Sequence, residues 1–305
     1  MMKMDNRLHK FRLTKKLDSF RETKNILPKQ IIYMSVEGSK TETSYFNHLK
    51  TCLQEQQEAP LITIEVLSHN DNCSDPRHVL GLLQEHIALN EEGVIPSIIK
   101  KKLQAQDISE EDIKAYVNDN SILTTEKKDI INEFCELYNL DVSYRKYLKK
   151  LGKNENDRYV VIIDRDSKSH MVEAMEECIK ATQNKNVPIE LYISNPAFDI
   201  WLLFHSAQGC EFLRTKGEVL IKENKKKSEK NTLLSYQVSQ IFHHSKEITS
   251  NQFRQKYWNK ISYAIDASQN YKLDNHQLLD QVGTNIADFF TEDIKKLLPK
   301  TNDEV

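Results

Sequence analysis

Four stretches of the chain are apolar runs of strand length, and each is followed by polar residues and then by a segment with helical spacing. The first run is "QIIYMSVEG" (30–38); behind it "SKTETSYFNHLK" (39–50) predicts a helix capped by Ser39 or Thr41. "PLITIEVL" (60–67) is the second run, with "RHVLGLLQEHIAL" (77–89) as its helix. "RYVVIIDRD" (158–166) is the third, followed by "SHMVEAMEECIKATQN" (169–184). "VPIELYIS" (187–194) is the fourth, and "NPAFDIWLLFH" (195–205) predicts an amphipathic helix with Asn195 as cap and Pro196 at its first position. The third run, Tyr159 to Ile163, lacks any alternation with polar residues, which suits a strand covered on both faces in a parallel sheet. Strands alternating with helices predict an α/β fold with a parallel core.

Outside this core the pattern changes. Residues 1–29 are polar and basic and read as an N-terminal arm. Residues 93–156 are charged and helix-leaning with no convincing strand, and read as a helical insertion between the core segments 30–92 and 157–206. Residues 207–305 read as a helical C-terminal region. That region holds the lysine-rich "KENKKKSEKN" (222–231), best taken as a solvated face, and "FRQKYWNK" (253–260). The latter mixes Arg254 and Lys256 with aromatic residues in the manner of a nucleic-acid surface, although core packing explains the aromatics nearly as well.

Charge narrows the function classes. Lys and Arg number 43 against 45 Asp and Glu, a net charge of −2, which argues against a purely electrostatic nucleic-acid binder but allows a local basic groove. No apolar run reaches the ~18 residues of a membrane span, and the basic N-terminus lacks the apolar core of a secretory signal. Five scattered cysteines without a C-x-x-C pair suit a reduced, cytoplasmic protein with no zinc site. Seven glycines and no phosphate-loop or dinucleotide fingerprint remove most nucleotide-binding folds.

The candidate chemistry lies at the strand ends. Glu37 ends the first strand, and Asp164 and Asp166 end the third. In a parallel sheet all three reach the same edge, where they would repel one another unless a cation held them. Mg²⁺ (or Mn²⁺) suits such hard oxygen ligands, and an acidic cluster that needs it suggests phosphoryl transfer or phosphodiester cleavage. Either aspartate could instead cap the following helix, and Glu37 could simply mark a turn. Glu42, Ser194, Asn195, Asp199 and His205 fall near the same edge and are candidates for substrate or supporting contacts, each with a structural alternative. Arg165 and Lys168 beside the aspartates are candidate nucleic-acid contacts. A phosphatase with D-x-D on its first strand, or a receiver domain with an acidic pair there, does not fit a single first-strand Glu. Glu first and D-x-D later is the order of the Toprim fold, a parallel sheet flanked by helices.

Three blocks sharpen this. "YMSVEGSKTETSYFNHLK" (33–50), "VVIIDRD" (160–166) and "ISNPAFDIWLLFH" (193–205) resemble the RloB family, the AbiL-type component of bacterial phage-defence operons. The first carries E-G-x-x-T-E-x-x-Y-F at Glu37, Gly38, Thr41, Glu42, Tyr45 and Phe46. The third carries Ser194, Asn195, Pro196, Phe198, Asp199, Trp201, Leu202 and His205, with Asp199 where Glu is more usual. "GTNIADFF" (283–290) is similar to the family's closing helix. The resemblance implies a Toprim-like fold, a Mg²⁺-dependent nuclease acting on DNA or RNA (tRNA included), and an AAA/ABC-type ATPase partner. A homo-oligomer is compatible with it. The alternative is a non-catalytic module that binds nucleic acid or the ATPase; a small-molecule phosphatase lacks an evident nucleophile.

Overall fold

The computed structural model describes residues 30–56, 62–67, 75–87, 101, 104–109, 111–112, 115–116, 122–137, 156–165, 172–183, 188–217, 220, 232–244 and 246–299. Four parallel strands form its centre: β1 (Gln30–Val36), β2 (Ile62–Leu67), β3 (Arg158–Asp164) and β4 (Ile189–Asn195). A two-residue strand, β5 (Gly283–Thr284), pairs antiparallel with β4, so the order is β2-β1-β3-β4-β5. The chain is therefore α/β with a mostly parallel sheet flanked by helices, as a Toprim-like fold requires.

Both faces of the sheet are buried, which is why its strands are continuous apolar runs. On one face Ile32, Met34, Val36, Val160, Ile162 and Tyr192 pack against helix α1 (Thr41–Glu55) and the C-terminal helices. On the other, Ile31, Tyr33, Tyr159, Val161, Ile163, Leu191 and Ile193 pack against α2 (Pro76–Ile87) and a helix at Val172–Ala181. Helix α3 (Thr125–Leu137) lies within 93–156, and no strand occurs among the described residues there. We number the 172–181 helix α4. After β4 come α5 (Asp199–Leu203), α6 (Ala207–Lys216), α7 (Leu233–Phe242), α8 (Ser250–Lys256), α9 (Ile261–Ala267) and α10 (Glu292–Lys295). No helix among the described residues is long and apolar enough to cross a membrane.

Several local expectations are corrected. Neither Ser39 nor Thr41 caps α1; Lys40 stands at that position, and the Thr41 hydroxyl donates to the Lys246 carbonyl instead, at 2.7 Å. Asn195 caps no helix. It ends β4, its Asn195–Pro196 bond is cis, and its amide donates to the Leu278 carbonyl at 2.8 Å, so the helix starts only at Asp199. The segment 283–290 is not one helix. Thr284 pairs with Ser194, Asn285 Oδ1 accepts the Ile193 N–H at 2.8 Å, and the chain turns into a short 3-10 stretch, Ile286–Phe289. Sheet pairing here overrides a helix-like pattern. The lysine-rich 222–231 lies outside the described residues.

Candidate functional site

Strand alternation decides what the carboxyl edge presents. Ile162 faces α1, so two residues on Asp164 faces α1 as well, while Arg165 turns to the opposite face. Glu37 follows β1 and extends its pairing by one bond, donating its N–H to the Ile162 carbonyl at 3.1 Å. Its carboxylate then reaches across, and Oε2 accepts the Asp164 N–H at 2.8 Å. Asp164 Oδ1 in turn accepts the Phe198 N–H at 2.8 Å, from the turn that leads into α5. Residues from β1, β3 and the β4–α5 connection are thus joined at one edge, as the parallel order predicts.

Glu42 belongs here too. It lies in the first turn of α1 and is only 6% exposed, far more buried than a solvated helix-start carboxylate. Its carboxylate lies against Gly38: a Cβ built there would stand 1.8 Å from Glu42 Oε2. The glycine after Glu37 is needed because another acid packs where its side chain would be.

The electrostatics follow from this crowding. Asp164 is held well above the usual carboxylate range, by burial first and then by the negative charges of Glu42, Glu37 and Asp199, against which the Phe198 N–H works. Asp199, the first residue of α5, is pushed up to about 6 by burial, with Lys246 pulling it back. Lys246 carries no sequence motif; a hydrogen bond spanning 205 positions brings it to Thr41, next to Glu42.

Asp164 thus carries the negative charge of three neighbouring acids, whose hard oxygens are of the kind a divalent cation like Mg²⁺ takes. Among the described residues no three His, Cys, Asp or Glu are arranged as a ready metal cage. Asp166 and Lys168 lie outside the described residues.

The other sequence candidates have structural roles. The Ser194 hydroxyl pairs with that of Thr284 at 2.9 Å in the core. Asn195 faces the opposite side of the sheet from Asp164, toward Leu278. His205 is buried among Tyr45, Trp201 and Tyr257; Nδ1 donates to the Trp201 carbonyl at 3.0 Å and Nε2 accepts from the Tyr45 hydroxyl at 3.2 Å. Burial lowers its pKa to about 3, which favours the neutral ring.

Arg165 is buried as well and donates from Nε to the Leu279 carbonyl at 3.1 Å, so it fastens the 277–279 turn to the sheet rather than reaching a nucleic acid. Arg254 pairs with Glu55 at 2.7 Å, at the far end of α1 and roughly 20 Å from Glu42 at 1.5 Å rise per residue. Lys256 is exposed on the same helix, α8, while Phe253, Tyr257 and Trp258 are core residues that cannot stack on bases.

Neither the curated proteins nor the solved structures contain a significant match to this chain. A family model does match it, the one described as RloB-like protein, over residues 32–292, which takes in all of the sheet but the first two residues of β1, and every carboxylate of the edge. The chain belongs to the RloB-like protein family.

Proposed function

We propose that the protein is a metal-dependent nuclease that cleaves phosphodiester bonds in DNA or RNA, tRNA included, as the effector of an anti-phage system with an ATPase partner. The observation that carries the enzymatic part is the convergence of Glu37, Glu42, Asp164 and Asp199 on one partly buried sheet edge. The repulsion that Glu42, Glu37 and Asp199 exert on the Asp164 carboxylate is the kind a divalent cation relieves. Family membership and the resemblance described above support the defence role.

Glu37 and Asp164, joined by Asp166, would hold Mg²⁺ or Mn²⁺. When bound, that ion supplies Lewis acidity toward a phosphoryl oxygen and eases deprotonation of water. The chain's own residues do the positioning. The Asp164 N–H fixes the Glu37 carboxylate, and the Phe198 N–H fixes that of Asp164, so neither must be ordered when substrate arrives. Glu42 holds the floor of the edge over Gly38. Asp199, with its pKa raised to about 6, is the group suited to exchange a proton with the attacking or leaving oxygen near neutral pH.

The test is cleavage of plasmid, single-stranded DNA and total tRNA by the purified protein in Mg²⁺, Mn²⁺ or EDTA, beside Asp164→Asn. That variant keeps an acceptor for the Phe198 N–H and removes the charge. Cleavage that needs metal and drops about 100-fold or more in the variant is the expected result. No cleavage in any lane, with the ATPase partner added, together with undiminished phage protection by Asp164→Asn, would assign the family's role to a non-catalytic binding module.

A further inference from the structure

The carboxyl edge holds four acids, and a phosphodiester brings a further negative charge to it, so productive binding needs a protein cation beside the acids as well as a metal. The residues flanking Asp164 in sequence do not supply it among the described residues, since Arg165 is buried on the other face of the sheet. A different segment does. Residues 246–248 run along the first turns of α1 and are fastened there three times. The Thr41 hydroxyl donates to the Lys246 carbonyl at 2.7 Å, the Ile248 N–H donates to Ser44 Oγ at 3.1 Å, and His48 Nε2 donates to the Ile248 carbonyl at 2.8 Å. These bonds fix the backbone of Lys246 beside Glu42 and leave its side chain exposed.

The ammonium group makes no ion pair among the described residues, yet it is near enough to Asp199 to stabilise that carboxylate's charged form. A lysine so placed is within the field of Asp199 but makes no ion pair with it. Its compact charge and three rotatable donors suit a phosphate oxygen approached from solvent.

We infer that Lys246 is a substrate-phosphate contact of the acidic edge, neutralising a backbone phosphate of the bound nucleic acid beside the first turn of α1. This rests on the nuclease reading, because it assumes a nucleic acid at that edge. It assigns to residues 246–248 the task of presenting this charge, which explains why they are hydrogen-bonded to α1 although they are remote from it in sequence.

The experiment uses the full-length protein, with a labelled single strand of DNA and a labelled tRNA as probes, and Ca²⁺ in place of Mg²⁺ to hold cleavage off. Affinity is measured over a series of salt concentrations for wild type, Lys246→Ala, Lys246→Arg and, as a control on the opposite face of the sheet, Lys180→Ala. The expected result is binding weakened about three- to tenfold in Lys246→Ala, equally for different sequences, with the slope of log K against log salt smaller by about 0.7 to 0.9. Lys246→Arg restores the slope, and Lys180→Ala leaves it unchanged. Melting of Lys246→Ala matches wild type, since the replaced group stands in solvent. Should wild type bind a probe and Lys246→Ala bind it with the same affinity and slope, the lysine assignment is overturned while the nuclease reading stands. Should wild type, with the ATPase partner added, bind neither probe nor labelled duplex DNA, the nuclease reading falls and takes the lysine assignment with it.

Discussion

Gly38→Ala offers a sharp test of the site's geometry because a single side chain stands in the way. The backbone at Gly38 is outside the left-handed region, so alanine is tolerated conformationally, and the three atoms nearest its Cβ all belong to Glu42: Oε2 at 1.8 Å, Cδ at 2.3 Å and Oε1 at 2.6 Å. Ordinary contact requires the carboxylate to retreat by roughly 1.6 Å. Glu42 is 6% exposed, so there is little room to retreat into. Leaving its rotamer costs about 0.5–1.5 kcal/mol and crowding about 1–3 kcal/mol. The loss of freedom in the unfolded chain returns about 0.4–1 kcal/mol. The expected net destabilisation is roughly 0.5–4 kcal/mol. With Glu42→Ala already in place the obstacle is gone, and adding Gly38→Ala becomes neutral or stabilising by about 0.4–1 kcal/mol. Urea unfolding of the four proteins therefore yields a coupling of roughly 1.5–4.5 kcal/mol. If Gly38→Ala costs the same in both backgrounds, to within about 0.5 kcal/mol, Glu42 does not lie over Gly38 and its place in the acidic edge is refuted.

Two further outcomes are expected. Asp199 binds its proton more tightly in the folded than in the unfolded protein, so its contribution to stability is complete below about pH 4 and is lost as pH rises through about 6. In EDTA the Tm of wild type should fall across that window relative to Asp199→Asn, and Mg²⁺ should reduce the fall; parallel melting curves for the two proteins would contradict it. Arg165→Ala should cost roughly 1.5–3 kcal/mol in urea unfolding, because it strips a charged donor from the Leu279 carbonyl, and should leave nucleic-acid affinity per folded molecule unchanged.

What the sequence disclosed follows from how directly each feature is encoded. The four parallel strands are continuous apolar runs because both faces of the sheet are covered, and their ends fall within two residues of the pattern. From parallelism alone Glu37 and Asp164 had to share an edge, and their hydrogen bond spans 127 positions. The alternation of β3 also held a warning about Arg165, since adjacent residues on a strand face opposite ways. Asn195 could not be read so simply: its preference for a cap is local, whereas its partner, the Leu278 carbonyl, is 83 positions away. The same holds for 283–290, whose helix-like spacing loses to two pairs with β4, and for Lys246, placed by hydrogen bonds that no periodicity encodes. In "FRQKYWNK" the aromatics are core residues and the cations are what remains outside, a pattern any amphipathic segment can produce.

The strand order β2-β1-β3-β4-β5 also bears on the birth of the molecule. A ribosome delivers the chain from its amino end, and β1 and β2 can pair as soon as both have emerged. At that stage Glu37 and Glu42 face an unfinished edge, because β1's other neighbour, β3, is separated from β2 by the whole of 93–156. Asp164 arrives with β3, Asp199 after β4, and Lys246 later still. A nascent chain interrupted anywhere between β2 and β3 therefore carries two of the five strands and only the first pair of acids. The four acids of the edge therefore gather only after about two-thirds of the chain has been made.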